Sequence, residues 1–168
     1  MVATPAEVML RSATPDDASV LFKLIQALAD YERLSVAVTG TPEALREHLF
    51  ASRPYAEAIL AEVDGQAVGF ALFFYNYSTF LTKPGIYLED LFVLPEYRRL
   101  GIGKALLNHL AQRAIAENCG RLEWSVLDWN APAIAFYEKM GATVLPDWRI
   151  CRVTGGGLAL MAQVDADS

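Results

Sequence analysis

The chain has 168 residues, 54% of them hydrophobic, which suits one domain, residues 1–168, with a sizeable core. Fourteen lysines and arginines against 20 aspartates and glutamates leave a net charge of −6, which argues against nucleic-acid binding and is permissive for a cationic substrate. Two widely separated cysteines, Cys119 and Cys151, suggest neither a disulfide framework nor a metal site. The first ten residues lack the basic start and apolar core of a signal peptide, and the longest apolar run, residues 67–75, is far short of a membrane span. A soluble, cytoplasmic protein without membrane partners is expected.

A first strand is expected over residues 8–11, followed by Thr14-Pro15-Asp16-Asp17, which reads as a helix start. Leu21, Leu24, Ile25 and Leu28 then recur at i, i+3, i+4 and i+7, an apolar stripe that must face a sheet. Thr41-Pro42-Glu43 opens a second, shorter helix carrying Leu45 and Leu49. Residues 55–63 and 66–75 read as strands joined by the hairpin pair Asp64-Gly65, and the long apolar second member indicates burial on both faces. A strand over 86–93 precedes a glycine loop and a helix that stops near Asn118-Cys119-Gly120. Residues 122–127 are a further strand, Asn130 caps a helix with Pro132 in its first turn and Gly141 past its end, and 142–153 are left for closing strands around Pro146. The tail after Gly155-Gly156-Gly157 is open between a short helix and a strand. The order implies an α/β fold with a mixed sheet and helices on both faces.

The most informative stretch is residues 88–107, LEDLFVLPEYRRLGIGKALL, a strand ended by Pro95, a tight loop and a helix start. Arg98, Arg99, Leu100, Gly101, Ile102, Gly103 and Lys104 place three cations and two residues without a Cβ at a helix N-terminus, a combination suited to pyrophosphate. A dinucleotide fingerprint would need glycine at Leu106. A nucleotide-triphosphate loop would need glycine at Arg98 and Ser or Thr at Ala105. What remains is R-x-x-G-x-G after a strand that carries one acidic pair, Glu89 and Asp90.

That pattern resembles the coenzyme A loop of the GCN5-related N-acetyltransferases (GNAT). The segment LDWNAPAIAFYEKMGA, residues 127–142, resembles the family's second coenzyme-contacting segment. Within the family, Y-L-E-D-L-F-V-x-P-E-Y-R, V-L-D-W-N and F-Y-x-x-x-G-A are closest to the diamine (spermidine/spermine) N-acetyltransferase subgroup, as is the N-terminal part, residues 10–33. The resemblance implies a central, mostly antiparallel sheet, acetyl-CoA as cosubstrate with no metal, a primary amine of a small cation, a diamine or polyamine first, as acceptor, and a homodimer. It implies that the backbones of Leu91, Phe92 and Val93 pair with the pantetheine and acetyl carbonyl, that residues 98–104, Asn130, Ala133 and Tyr137 contact the coenzyme, and that Tyr31 and Glu32 contact the amine. Arg99 stands where many relatives have glycine.

Acetyl transfer to an amine needs a proton acceptor, because an alkylammonium with a pKa of about 10.4 has no lone pair to attack with. Glu89 and Asp90 are the candidates, and simple strand alternation would point them to opposite faces. Glu89 is favoured for amine binding and proton removal with Asp90 in support; the alternative is a solvated or ion-paired acid couple. Tyr137 is the candidate donor to the departing thiolate, since a phenol with a pKa of about 10 stays protonated at neutral pH. Packing alone would make Tyr137 part of its helix's core stripe and Glu32 a solvated helix residue. Asn130 serves as a helix cap on either reading. The segment after Ala142 is shorter than in polyamine enzymes, so a thialysine- or lysine-like side-chain amine is the second substrate class. Protein-amine acetylation and a non-catalytic acyl-CoA sensor are the remaining rivals.

Overall fold

The computed structural model describes residues 7–163, which form two compact units, one up to Ser125 and one from Val126. The first unit runs β1 (Val8–Ser12), α1 (Ala18–Tyr31), α2 (Pro42–Phe50), β2 (Glu57–Val63), β3 (Gln66–Ser78), β4 (Lys83–Val93), α3 (Ile102–Ala116) and β5 (Leu122–Trp124). The strands lie in sequence order in one sheet, antiparallel from β1 to β4. The last pair, β4 and β5, is parallel, with α3 as the crossover that a parallel connection requires.

Local chemistry sets these boundaries where the sequence expects them. Asp17 accepts from the Thr14 backbone N–H at 2.7 Å and from its hydroxyl at 2.9 Å, and a single 3₁₀ turn, Pro15–Asp17, leads into α1. The Thr41 hydroxyl accepts from the Ala44 N–H at 3.2 Å and starts α2. Asp64 and Gly65 both have positive φ, 52° and 78°, as a two-residue hairpin of this hand demands. Asn118, at φ 55°, takes the left-handed position that stops α3.

Leu21, Leu24 and Leu28 of α1 and Leu49 of α2 pack with Ala58, Leu60, Phe70, Leu72 and Phe92 on one face of the sheet. The intervening strand residues Ile59, Ala61, Ala71 and Phe73 are also buried, so by alternation they fill the opposite face. There α3 contributes Ile102, Leu106, Leu107, Leu110 and Ala114 and touches all five strands. Residues 68–73 of β3 are therefore buried on both sides, as their continuous apolar run requires. Each such leucine or phenylalanine contributes about 1.5–3 kcal/mol by leaving water, and this core holds β4, the strand that carries the acidic pair.

The second unit contains α4 (Ala131–Lys139) and α5 (Gly156–Met161). Gly141, at φ 96°, follows α4, and the ambiguous tail after Gly155 is the short helix α5. The expected closing strands do not form: residues 142–153 contain no strand. Pro146 cannot donate to a ladder and divides the stretch into short pieces, and the described part of this unit contains no strand for them to pair with. β5 likewise covers only three of the six residues expected of it. No described helix is long and apolar enough to cross a membrane.

Candidate active site

Two irregularities in β4 build the site. β5 pairs with β4 only at Ile86, Tyr87 and Leu88, while β3 stays paired with β4 as far as Val93, so the second half of β4 has an open edge. The register between β3 and β4 also slips: Phe73 opposes Leu88 and Leu72 opposes Asp90, leaving Glu89 as the extra residue of a β-bulge. The bulge interrupts the alternation from which the opposed orientation of Glu89 and Asp90 was expected.

The bulge also sorts the backbone groups beyond it. The Leu94 N–H donates to the Val68 carbonyl at 2.9 Å, so Leu94 and, two residues back, Phe92 turn their polar groups toward β3. Leu91 and Val93 then direct theirs to the open edge. Gly69 lies opposite this point; a Cβ there would come within 2.7 Å of the Phe92 carbonyl oxygen, so glycine permits the close approach of the two strands. Of the three residues expected to offer backbone groups to a coenzyme, Phe92 is engaged in the sheet, while Leu91 and Val93 face away from β3, the Val93 carbonyl accepting from Arg98 Nε at 3.0 Å.

The loop after β4 is a 3₁₀ turn, Pro95–Tyr97, followed by two left-handed residues, Arg99 at φ 66° and Gly101 at φ 79°. Gly101 is the N-cap of α3, and its carbonyl accepts the Ala105 N–H at 2.9 Å. No side chain caps this helix, so the N–H groups of Ile102, Gly103 and Lys104 point out of its first turn without a capping partner. Lys104 and Arg99 are exposed beside them. The donor set fits a pyrophosphate: backbone N–H groups at a positive helix end, a close approach allowed by glycine, and two cations. Arg99 occupies the left-handed region at a cost of about 1–2 kcal/mol that glycine would not incur.

Arg98 behaves differently from its neighbour. Its guanidinium lies 4.5 Å from the ring centre of Tyr31 and 5.6 Å from that of Phe92, and its Nε donates to the Val93 carbonyl at 3.0 Å. The two rings are themselves 6.5 Å apart. The sequence suggested a phosphate contact for Arg98; the structure turns its side chain inward, onto the end of α1.

That end of α1 is fixed by its own backbone. The Leu34 N–H donates to the Ala29 carbonyl at 2.8 Å and the Arg33 N–H to the Asp30 carbonyl at 3.1 Å, with Arg33 left-handed at φ 61°. Tyr31 and Glu32 are thereby held in the last turn, Tyr31 partly exposed and Glu32 half-buried. Burial raises the Glu32 carboxyl above its usual pKa. Half-buried Asp90 is pushed up to about 6, first by burial and then by the negative charges of Glu89 and Glu32. Glu89 is exposed. The charges of Glu89 and Glu32 thus both bear on Asp90 at the open half of β4, and no cation offsets them there. The sequence showed each acid but not that the bulge and the helix end bring them into one electrostatic group.

In the second unit, Asn130 is buried and its side-chain oxygen accepts the Ala133 N–H at 3.3 Å, capping α4. Ala133 and Tyr137 follow at helical spacing from this cap, on the same side of α4. Tyr137 is half-buried, its ring 5.4 Å from that of Phe136. Among the described residues there is no group of three histidine, cysteine, aspartate or glutamate side chains arranged to hold a metal ion.

Residues 23–142 match the sequence profile of the Acetyltransferase (GNAT) family. The chain is 37% identical to the L-ornithine N5-acetyltransferase of Arabidopsis thaliana, covering 89% of this chain and 85% of the relative. It is 36% identical to the thialysine N-epsilon-acetyltransferase of Bos taurus, covering 94% and 98%. Identity to the spermidine/spermine N(1)-acetyltransferase-like protein 1 of Homo sapiens is 32%, covering 91% of this chain and 23% of that protein. Among solved structures, an integron cassette protein from V. cholerae superimposes with a TM-score of 0.78 at 26% identity, covering 94% of this chain and 98% of the other. An aminoglycoside N-acetyltransferase in complex with CoA shares the fold with a TM-score of 0.71 at 20% identity, covering 91% and 99%.

Proposed function

Because the chain belongs to the GNAT family, it is an N-acetyltransferase that takes its acetyl group from acetyl-CoA, and we propose that the acceptor is the terminal primary amine of a small aliphatic cation. The side-chain amine of an ornithine- or thialysine-like amino acid is the first candidate, in keeping with the two relatives matched over nearly their whole length. The observation that carries the proposal is the group of carboxylates, Glu32, Glu89 and Asp90, at the open end of β4, with Asp90 raised to about 6. An ammonium group placed among them relieves their mutual repulsion and gains their attraction.

The same group supplies the proton acceptor. Moving a proton from an ammonium of pKa about 10.4 to an ordinary carboxylate of about 3.9 is uphill by roughly 9 kcal/mol. With an acceptor near 6 the deficit falls to roughly 6 kcal/mol. Asp90 is therefore the better base, acting directly or through water, and exposed Glu89 serves chiefly to attract and orient the amine. When bound, acetyl-CoA supplies the activated acyl group. The open-edge groups of Leu91 and the Val93 N–H would hold its pantetheine arm, and the first turn of α3 with Arg99 and Lys104 its pyrophosphate. By the family resemblance, Asn130 and Ala133 at the start of α4 would be further coenzyme contacts, and the Tyr137 phenol would hold the proton that a leaving thiolate needs.

A second acceptor class, a diamine or polyamine, is supported by the surplus of acidic groups, since a substrate with two positive ends uses more than one of them, and by the match to the spermidine/spermine acetyltransferase-like protein. The deciding experiment is acetyl-CoA consumption by the purified protein with ornithine, thialysine, lysine, putrescine and spermidine, products being identified by mass. Turnover of ornithine or thialysine above the diamines supports the first class, and the reverse order selects the second. Binding of acetyl-CoA without turnover of any free amine would contradict the proposal and favour a protein amine.

A further inference from the structure

Arg98 belongs by sequence to the coenzyme loop, yet its side chain spans two other elements. The 3₁₀ turn Pro95–Tyr97 folds the chain back so that Nε reaches the Val93 carbonyl, five residues earlier, at 3.0 Å. That carbonyl lies on the open edge of β4, where β5 offers no partner beyond Leu88. The guanidinium carbon meanwhile lies over the ring of Tyr31, 4.5 Å from its centre, and 5.6 Å from that of Phe92. A guanidinium suits this position because it donates in the plane of the group while its flat face stacks on an aromatic ring. An ammonium cannot do both with the same geometry.

The geometry points to Arg98 as a positioning residue for the amine, a clamp that holds the last turn of α1, with Tyr31 and Glu32, against the Phe92–Val93 end of β4. The inference rests on the proposed location of the amine between these elements. It separates two cations that look equivalent in the sequence: exposed Arg99 is available to phosphate, whereas Arg98 is committed to the protein. It also makes the coenzyme loop and the amine-side helix one mechanical unit, because the residue that folds the loop back is the one that seats the helix end.

The test compares Arg98→Ala and Arg98→Lys with the unaltered protein in the full chain. Arg98→Ala should raise KM tenfold or more for ornithine, thialysine and putrescine alike, leave the calorimetric Kd for acetyl-CoA within threefold, and speed amide hydrogen exchange in residues 29–34. Arg98→Lys should recover part of the KM loss and part of the exchange protection, and it carries the test if the alanine variant does not fold. In a Tyr31→Leu background, Arg98→Ala should add little further to KM, since the stacked partner is already gone. A tenfold weaker Kd for acetyl-CoA with amine KM unchanged would overturn the clamp in favour of a phosphate contact. A KM increase confined to ornithine and thialysine would overturn it in favour of a direct contact to the substrate carboxylate. Should the unaltered protein acetylate none of these amines, the proposed acceptor class fails, and the exchange measurement still decides the clamp: unchanged exchange in residues 29–34 contradicts it.

Discussion

Two groups of acids, each built on one strand of the sheet and one end of α1, have opposite fates. At the β1 edge, Asp17 and Glu62 both meet Arg11: its two Nη atoms reach the Asp17 carboxylate at 2.7 and 2.8 Å, and its Nε and one Nη reach Glu62 at 2.9 and 2.7 Å. Hydrogen bonding to Arg11 holds the Asp17 carboxyl well below its usual range despite burial. At the open half of β4, burial raises Asp90 to about 6 with no cation to offset it. In both places an aspartate gives up water, yet the two carboxyls shift in opposite directions, and the difference is the partner. A satisfied acid holds β1, β2 and the start of α1 together, while an unsatisfied one is the mark of a place where a cation is to come from outside.

The consequences for stability run in opposite directions with pH. Asp17 has a depressed pKa in the folded state, so its contribution is complete above about 4 and is lost as the pH falls. Asp90 has a raised one, so it costs nothing at low pH, and its cost grows between about 4 and 6 and is complete above 6, amounting to at most about 3 kcal/mol.

The largest expected effect is on activity. Asp90→Asn should lower kcat/KM by about 10²–10⁴-fold, the usual span for a general base, while raising the thermal midpoint at pH 7.5 and leaving it nearly unchanged at pH 4. A loss of midpoint at pH 7.5 would place Asp90 with the satisfied acids. Tyr137→Phe should also reduce kcat about 10²-fold or more, with acetyl-CoA affinity in calorimetry close to that of the unaltered protein and the acidic limb of the pH profile still in place. Asp17→Asn should leave kcat untouched and cost about 2–4 kcal/mol in denaturant unfolding at pH 7, because Arg11 loses a buried partner. Glu32→Gln should weaken binding several-fold, more for putrescine than for a monoamine of equal length; equal losses would remove Glu32 from the reading of the second charge. The smallest effect is Arg99→Gly, which relieves the left-handed backbone and should stabilise the fold by about 1 kcal/mol while weakening acetyl-CoA binding.

Most of the first unit could be read from local chemistry. The α1 stripe, the Thr41-Pro42 start, the Asp64-Gly65 hairpin and the glycine loop before α3 each follow from residues close together in the chain. The bulge at Glu89 could not, because it arises from the pairing of β3 with β4 and carries no glycine or proline as a signal. Nor does the sequence separate Glu89 from Asp90 as the base; the burial that raises Asp90 to about 6 comes from elements distant in the chain. The contact of the Arg98 side chain with Tyr31 is not legible either, because the two lie far apart in the chain and such a contact leaves no periodic trace. The closing strands were expected from apolar content, which cannot say whether a partner strand is at hand.

The most direct test of an acid held in wait for a cation is the titration of the Asp90 side-chain carboxyl by carbon NMR, without and with a saturating amine. An apparent pKa near 6 in the free protein, falling when ornithine, thialysine or putrescine binds, is the expected result. A value at or below 4 in the free protein would mean that Asp90 already has its partner, and would contradict the account.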